Sequence, residues 1–353
     1  MAARALVRTF TRALALATLA VSPSIVGAQA APPRVHILAT GGTISNLGDG
    51  GRRSGRELAE GIPDLARFAT VTVEQFSNIP SGSVTQAMWR DLAARIRQLQ
   101  AGPDAPAGYV ITHGTDTMEE TAYFLSLTVG GCEPVIITGA MRQANAVGAD
   151  GPANLRNAIR TAVAPAARGR GTMVLMNDEL FAARDVTKSN TTRLNAFTAP
   201  DAGVLGLADP DTVVFHGPAP ATAGGCAAPR FDLTRLGDFP RVDVVYAYIG
   251  ADSVQVDALV NAGARGLVLA GIGRGGATPA MSRALDRASK RGVTVVISNR
   301  TGSGRVGVGR GDVERSTVVG AADLNPQKAR ILLMLALAAG LDPAAMGDLF
   351  NMR

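Results

Sequence analysis

The chain has 353 residues, 46% of them hydrophobic and 18% charged, with a formal net charge of +6. That length carries a prior of about two domains, and the sequence has no low-complexity block or fixed period that would mark a disordered or repeat protein. The basic residues are scattered rather than gathered beside aromatics, which argues against a nucleic-acid partner.

At the N-terminus, Arg4, Arg8 and Arg12 precede an apolar run from Ala13 to Ile25, followed by Val26-Gly27-Ala28-Gln29-Ala30. A basic start, a short apolar stretch and small residues at A-x-A spacing predict a secretory signal peptide over residues 1–30, cut near Ala28 or Ala30. The run falls short of the roughly 20 residues that span a bilayer, and no other segment is long and apolar enough to do so. The mature chain is therefore expected to be periplasmic or secreted, with no membrane partner. Its signal carries three of the six net positive charges, so about half of the excess leaves with it. Cys132 and Cys226 are the two cysteines; export permits a disulfide between them, and the sequence leaves their pairing open. His36, His113 and His216 share no ligand spacing, so no metal site is expected.

From Arg34 onward, short apolar runs alternate with amphipathic stretches. Val35–Ala39 reads as a buried strand ending in Thr40-Gly41-Gly42-Thr43. The stretch from Val84 to Gln100 places Met88, Leu92, Ile96 and Leu99 at helical spacing. Tyr109–Thr112 is the next strand, and Thr117-x-x-Glu120 has the form of a capping box opening a helix. Further strands are predicted at Val135–Ile137 and Met173–Met176, with a helix around Leu155 and Ile159 between them. The aperiodic Pro-, Ala- and Gly-rich stretch 216–240 reads as a linker. Beyond it lie strands at Val242–Tyr246, Gly266–Leu269 and Val293–Ile297, with helices from Ser253 and Pro279. Asn325-Pro326 and Asp342-Pro343 each pair a capping residue with a first-turn proline, and Gly340 marks a helix stop. The pattern predicts an α/β protein of two domains. A larger N-terminal domain (34–215) has a mostly parallel sheet flanked by helices, and a smaller α/β domain occupies 241–353.

In an open parallel sheet, ligands bind beyond the carboxyl ends of the strands. Two hydroxyl-bearing motifs fall at such ends. In Thr40-Gly41-Gly42-Thr43 the paired glycines allow a tight turn that presents Thr43. The run Thr112 to Glu120 lies between a strand and a helix N-terminus, where free N–H groups and the helix dipole favour a developing oxyanion. Either motif alone fits a plain turn or cap, and His113 alone fits a packed core residue; their shared position is what points to chemistry. A threonine hydroxyl needs a base. No G-x-S-x-G elbow is present. Lysine can take that role when desolvated, and Lys188 stands within Arg184–Thr192 in a chain that has only two other lysines, Lys290 and Lys328.

Taken together, Thr40–Ile44, Ile111–Leu125, Gly139–Arg142, Ala149–Pro152, Arg184–Thr192 and Asn325–Arg330 resemble a bacterial type II L-asparaginase, from about Arg34 to the C-terminus. The resemblance implies that Thr43 attacks the side-chain amide carbon of asparagine, giving an acyl-enzyme and ammonia. It implies a proton relay of Thr115 and Lys188, with Asp116 holding the substrate α-amino group and Ser81 its α-carboxylate. It also implies no cofactor, and a homotetramer whose sites are completed by a neighbouring subunit. Several positions depart from the pattern. Gly82 follows Ser81 where Gln or Glu is common. Gly250 stands where an Asn from the neighbouring subunit is common, and Asp252, two residues on, is the candidate carboxylate in its place. No neighbour-subunit Glu can be placed in Thr301–Arg315. The loop Ser45–Glu60 has no Tyr to close over the nucleophile, leaving Arg53, Ser54 or Arg56 as candidates. Cys132 matches a family cysteine, whose usual partner near Gln100 is missing.

The nearest alternative is a glutaminase-asparaginase, since Gly82 frees space for a longer side chain. A tRNA-dependent amidotransferase subunit shares the Thr motifs, but the signal peptide argues against it. From a different class, an exported solute-binding protein would bind without turnover and needs no Thr43, Thr115 and Lys188 set. Gly271–Gly276 has G-x-G-x-G-G spacing, which fits a turn better than a dinucleotide fingerprint.

Overall fold

A computed structural model describes residues 31–219, 226, 228–307 and 317–352. The expected signal peptide, and Arg310 and Arg315 of the Gly- and Arg-rich segment, lie outside the described residues. The first half of the chain runs β1 (Arg34–Gly41), α1 (Gly55–Glu60), β2 (Thr70–Ile79), α2 (Gln86–Gln100), β3 (Gly108–Thr112), α3 (Met118–Thr128), β4 (Val135–Thr138), α4 (Gly151–Val163), β5 (Thr172–Met176), β6 (Glu179–Ala182), β7 (Thr187–Lys188), β8 (Phe197–Thr198), β9 (Gly206–Ala208) and β10 (Val213–Phe215). Eight of these strands form one sheet in the order β10-β9-β6-β5-β4-β3-β1-β2. Neighbours from β5 to β2 pair in parallel, whereas β6, β9 and β10 extend the sheet through antiparallel pairings. These last three strands have only three or four residues each, too short for a periodic signal, and the sequence pattern did not separate them.

The C-terminal part consists of β11 (Val242–Tyr246), α5 (Val254–Asn261), β12 (Gly266–Gly271), α6 (Pro279–Lys290), β13 (Thr294–Asn299), β14 (Val318–Gly320), α7 (Pro326–Ala338) and α8 (Pro343–Asn351). Its four strands form a parallel sheet in chain order. The late helices start where their caps require. Asn325 accepts from Lys328 N and Asp342 from Ala345 N, each with proline in the first turn. Gly340, at φ +69°, follows the end of α7 in the left-handed conformation expected of a stop.

The packing is three-layered around each sheet. One face of the large sheet carries α4, with Ile37, Val110 and Ile136 against Leu155 and Ile159. The other face meets α2 and α3, and the same core continues without a break through α7 into Val268 and Val296 of the small sheet. Helix α7 is apolar nearly all round because it is enclosed on most sides; burial of each of Leu332, Leu333 and Leu335 contributes about 2 kcal/mol. In the aperiodic stretch before β11, Phe231 and Leu233 are buried in this core. No described helix is long and apolar enough to cross a membrane.

One local expectation fails. Thr117 does precede α3, but its hydroxyl makes no cap bond; it donates instead to the Ser81 carbonyl at 3.0 Å. A tertiary acceptor won over the local one, and the result ties the start of α3 to the turn after β2.

Candidate active site

Strands β1 and β3 are parallel neighbours, with Ala39 opposite Thr112, so their carboxyl ends deliver the two threonine motifs side by side. Gly41 and Gly42 turn the chain at φ +108° and +89°, a region open to glycine at little cost. The turn is held by Gly42 N donating to Ile79 O at 3.0 Å and by Thr40 Oγ1 donating to Thr112 O at 2.7 Å. Backbone approach here is very close. A Cβ on Gly42 would lie 2.3 Å from Cα of Gly114, and one on Gly114 would lie 2.8 Å from Oγ of Ser81. Thr43, Thr115 and Ser81 are thus gathered by glycine contacts one residue away from, or directly against, each of them. Thr43 is half-buried, while Ser81 and Thr115 are buried.

Lys188 arrives from a different element. Ribbon β7–β8 pairs Lys188 with the buried Phe197 and Thr187 with Thr198. From there Lys188 Nζ donates to Thr115 Oγ1 at 2.8 Å and to Asp116 Oδ1 at 2.6 Å. The lysine side chain is 14% exposed and that of Asp116 79% exposed, so the pair spans from a sheltered hydroxyl to an open carboxylate. An open cavity of about 450 Å³ adjoins them, lined by Asp116, Glu119, Lys188, Ser189, Asn190 and Thr191.

His113 is a fully buried structural link. Trp89 Nε1 donates to Thr121 Oγ1 at 2.8 Å, Thr121 Oγ1 lies 3.0 Å from His113 Nε2, and His113 Nδ1 lies 2.7 Å from Gly114 O. An indole only donates and a carbonyl only accepts, so this chain is consistent with a neutral imidazole protonated at Nδ1. Burial also pushes its pKa down, against the opposing bond to Gly114.

Asp150 accepts from Met141 N and Arg142 N, both at 2.9 Å, and Asn154 Nδ2 donates to Gly139 O. The loop after β4 is closed in this way beside the Thr115 segment, and a Cβ on Gly139 would lie 2.4 Å from His113 O. The segment following Thr43 folds back as a hairpin: Arg53 N donates to Ser45 O at 2.7 Å, and Asn78 Nδ2 to Arg53 O at 3.2 Å. Ser54 is occupied as the N-cap of α1, in a reciprocal capping box with Glu57, so its hydroxyl is already committed. Among the described residues, no group of three His, Cys, Asp or Glu side chains is arranged to hold a metal.

Residues 34–221 match the family model described as Asparaginase, N-terminal, and residues 241–350 match Glutaminase/Asparaginase C-terminal domain. The chain belongs to the asparaginase family. It is 42% identical over 329 residues to L-asparaginase 2 of Bacillus subtilis, covering 90% of this chain and 86% of the relative. It is 40% identical over 347 residues to the probable periplasmic L-asparaginase of Haemophilus influenzae, covering 96% and 98%. Among solved structures, the probable cytoplasmic L-asparaginase of Campylobacter jejuni superposes with a TM-score of 0.84 at 38% identity, covering 91% of this chain and all of the other.

Within this asparaginase-family fold, the departures from the expected pattern have definite places. Gly82 is exposed, and a Cβ there would meet nothing within 4 Å. Asp252 lies beyond β11 on the C-terminal sheet, exposed, with Oδ1 accepting from Val254 N at 2.9 Å; that bond is local, to the first residue of α5. Cys132 pairs with Cys226, their Cα atoms 4.5 Å apart, and Gln100 donates to Gly130 O at 2.8 Å. What the sequence reading missed is the set around Glu119. This buried carboxylate accepts from Asn325 Nδ2, Gln327 Nε2 and Thr187 Oγ1. The run Asn325–Arg330 was legible as a helix start and as a family motif, and nothing in its spacing pointed back to Glu119.

Proposed function

We propose that the chain hydrolyses the side-chain amide of L-asparagine to aspartate and ammonia, with Thr43 as nucleophile. The observation that carries this reading is Lys188 Nζ lying within hydrogen-bond distance of both Thr115 Oγ1 and Asp116 Oδ1, on the loop that packs against the Gly42–Thr43 turn. In the first half-reaction Thr43 Oγ forms a bond to the amide carbon, and its proton passes through the Thr115–Lys188 pair to the departing nitrogen, which leaves as ammonia. Water then attacks the acyl-enzyme, and the same pair returns a proton to Thr43 Oγ. Backbone N–H groups at the start of α3 face the developing oxyanion. Asp116, exposed and already bonded to Lys188 on one oxygen, receives the substrate α-amino group; Ser81 holds the α-carboxylate.

The exported location follows from the signal-like residues 1–30 and agrees with a disulfide between Cys132 and Cys226. A homotetramer is supported by apolar side chains left in the open on the C-terminal part, with Ile249 95% exposed beside Tyr246, Tyr248 and Val254. Asp252 is exposed in the same region, where the resemblance has a neighbouring copy complete the site. Broader use of glutamine is favoured by one observation, the open space at Gly82.

The test is ammonia release from asparagine and glutamine by the purified protein, with Thr43→Ala as control. The variant is expected to lose roughly 10⁴-fold or more in kcat; near-normal turnover by Thr43→Ala overturns the mechanism. Binding of either amide without any release of ammonia would favour a solute-binding role.

A further inference from the structure

Two of the three lysines are joined through a short stretch of backbone. Lys188 ends a short stretch, 184–188, whose backbone is gripped from α7. Lys328 is 1% exposed, and its ammonium donates to Arg184 O at 2.9 Å and to Val186 O. Burial pushes its pKa down to about 8, with Glu119, 3.8 Å away, opposing. Glu119 in turn accepts from Thr187 Oγ1 at 3.3 Å, from Asn325 Nδ2 at 3.0 Å and from Gln327 Nε2 at 3.1 Å. Asn325 uses its other amide atom to cap α7. Arg184 is tied to Asp323, just ahead of the same helix, at 2.6 Å. The adjacent cavity, lined in part by Arg184, Thr187, Asn325 and Lys328, measures about 30 Å³, room for a water and not for a solute. On this side the cluster's polar atoms are spent on chain: two carbonyls of 184–186, the Thr187 hydroxyl and the start of α7.

We propose that Glu119 and Lys328 are positioning residues for Lys188. Lys328 fixes the two carbonyls that precede it in the chain, and Glu119 fixes the neighbouring Thr187 hydroxyl. Asparagine turnover then depends on the N-terminus of α7, a helix of the C-terminal part. Its amino end acts through Glu119 and the carbonyls of Arg184 and Val186, and so sets where Lys188 Nζ meets Thr115. The consequence for turnover rests on the Thr43 reading above; the placement of Lys188 does not.

The test uses the full mature chain with lysine labelled at ¹³Cε, which gives three signals in the wild type, for Lys188, Lys290 and Lys328. In Lys328→Met two remain. The Lys188 signal is expected to move from its wild-type position, while that of Lys290, exposed at the end of α6, stays in place. In parallel, kcat should fall about tenfold or more with KM within about twofold, the pattern of misplaced catalytic atoms rather than lost substrate contacts. Thr187→Val, which removes the hydroxyl's bonds to Glu119 and from Asn325, is expected to act in the same direction, and Thr187→Ser to restore the wild-type signal and rate. If Lys328→Met fails to fold, the Thr187 pair decides. An unmoved Lys188 signal in the folded variants overturns the proposal whatever the turnover. A displaced signal in a protein whose wild type hydrolyses no asparagine upholds the positioning and removes the Thr43 reading.

Discussion

Gly42 and Gly114 meet backbone to backbone: a methyl group on Gly42 would stand 2.3 Å from both N and Cα of Gly114. Neither glycine carries a reacting group, yet the contact sets the spacing of the two threonines that follow them. Gly42→Ala must force the loops apart and place a side chain at φ +89°, a strain of about 1–3 kcal/mol before any clash is counted. Expected effects are a drop in kcat of about 100-fold, since a misplacement near 1 Å suffices for that, and a lower Tm. Steady-state kinetics with a thermal melt on the same preparation checks both.

Thr121 stands in the middle of the Trp89–Thr121–His113–Gly114 series, fully buried. Thr121→Val keeps the shape and deletes the hydroxyl, leaving an indole N–H and an imidazole nitrogen without partners. At about 1–3 kcal/mol for each unsatisfied buried group, the variant should lose roughly 2–6 kcal/mol in urea denaturation. Thr121→Ser should keep most of the stability, because it keeps the bonds.

The same histidine makes stability depend on pH. Burial holds His113 below its ordinary value of 6.5 in the native state. His36 is shifted the same way, by burial against the opposing Glu74 bond. Below pH 6.5 the unfolded chain therefore takes up protons that the native chain does not. The stability tied to these groups is fully present above about pH 6.5 and is lost as pH falls toward the native values, by up to about 1.4 kcal/mol per pH unit per histidine. Unfolding free energy at pH 5.5 should lie below that at pH 7.5, and the ring resonances of His113 should titrate with a midpoint under 6.5.

The Cys132–Cys226 bridge closes a sequence separation of 94 residues. In the chain-entropy view a closed loop of that length stabilises by about 4–5 kcal/mol, and disulfides typically deliver about 2–4 kcal/mol. Cys132→Ser with Cys226→Ser should therefore melt well below the wild type, and a reducing agent should lower the wild type toward the double variant. Equal melting of all three would show that the bridge contributes nothing.

The sequence was most legible where a signal is local and repeated. The apolar strands, the amphipathic α2 read from Met88, Leu92, Ile96 and Leu99, and the Asn325 and Asp342 caps all follow from patterns within a few residues; in α2 the buried face takes Leu92 and Ile96 with Trp89, while Met88 is only half-buried. Thr43, Thr115, Asp116 and Lys188 were legible as a set through family resemblance, and the structure joins the last three by direct bonds. Two things were hidden for one reason. Thr117 chose the Ser81 carbonyl over its own helix, and Glu119 chose partners 206 and 208 residues away. Such choices depend on which elements the fold brings together, and no window along the chain contains that information.

The scarcity of lysine has a practical side. Of the three, Lys328 is enclosed and Lys188 is largely sheltered in its pair with Thr115 and Asp116, whereas Lys290 stands exposed at the carboxyl end of α6. Reagents that acylate amines would thus find, besides the chain's own amino end, one open attachment point, seated on the C-terminal domain. A polymer, dye or solid support joined there would give a nearly uniform conjugate, in contrast to the mixtures that lysine-rich surfaces produce.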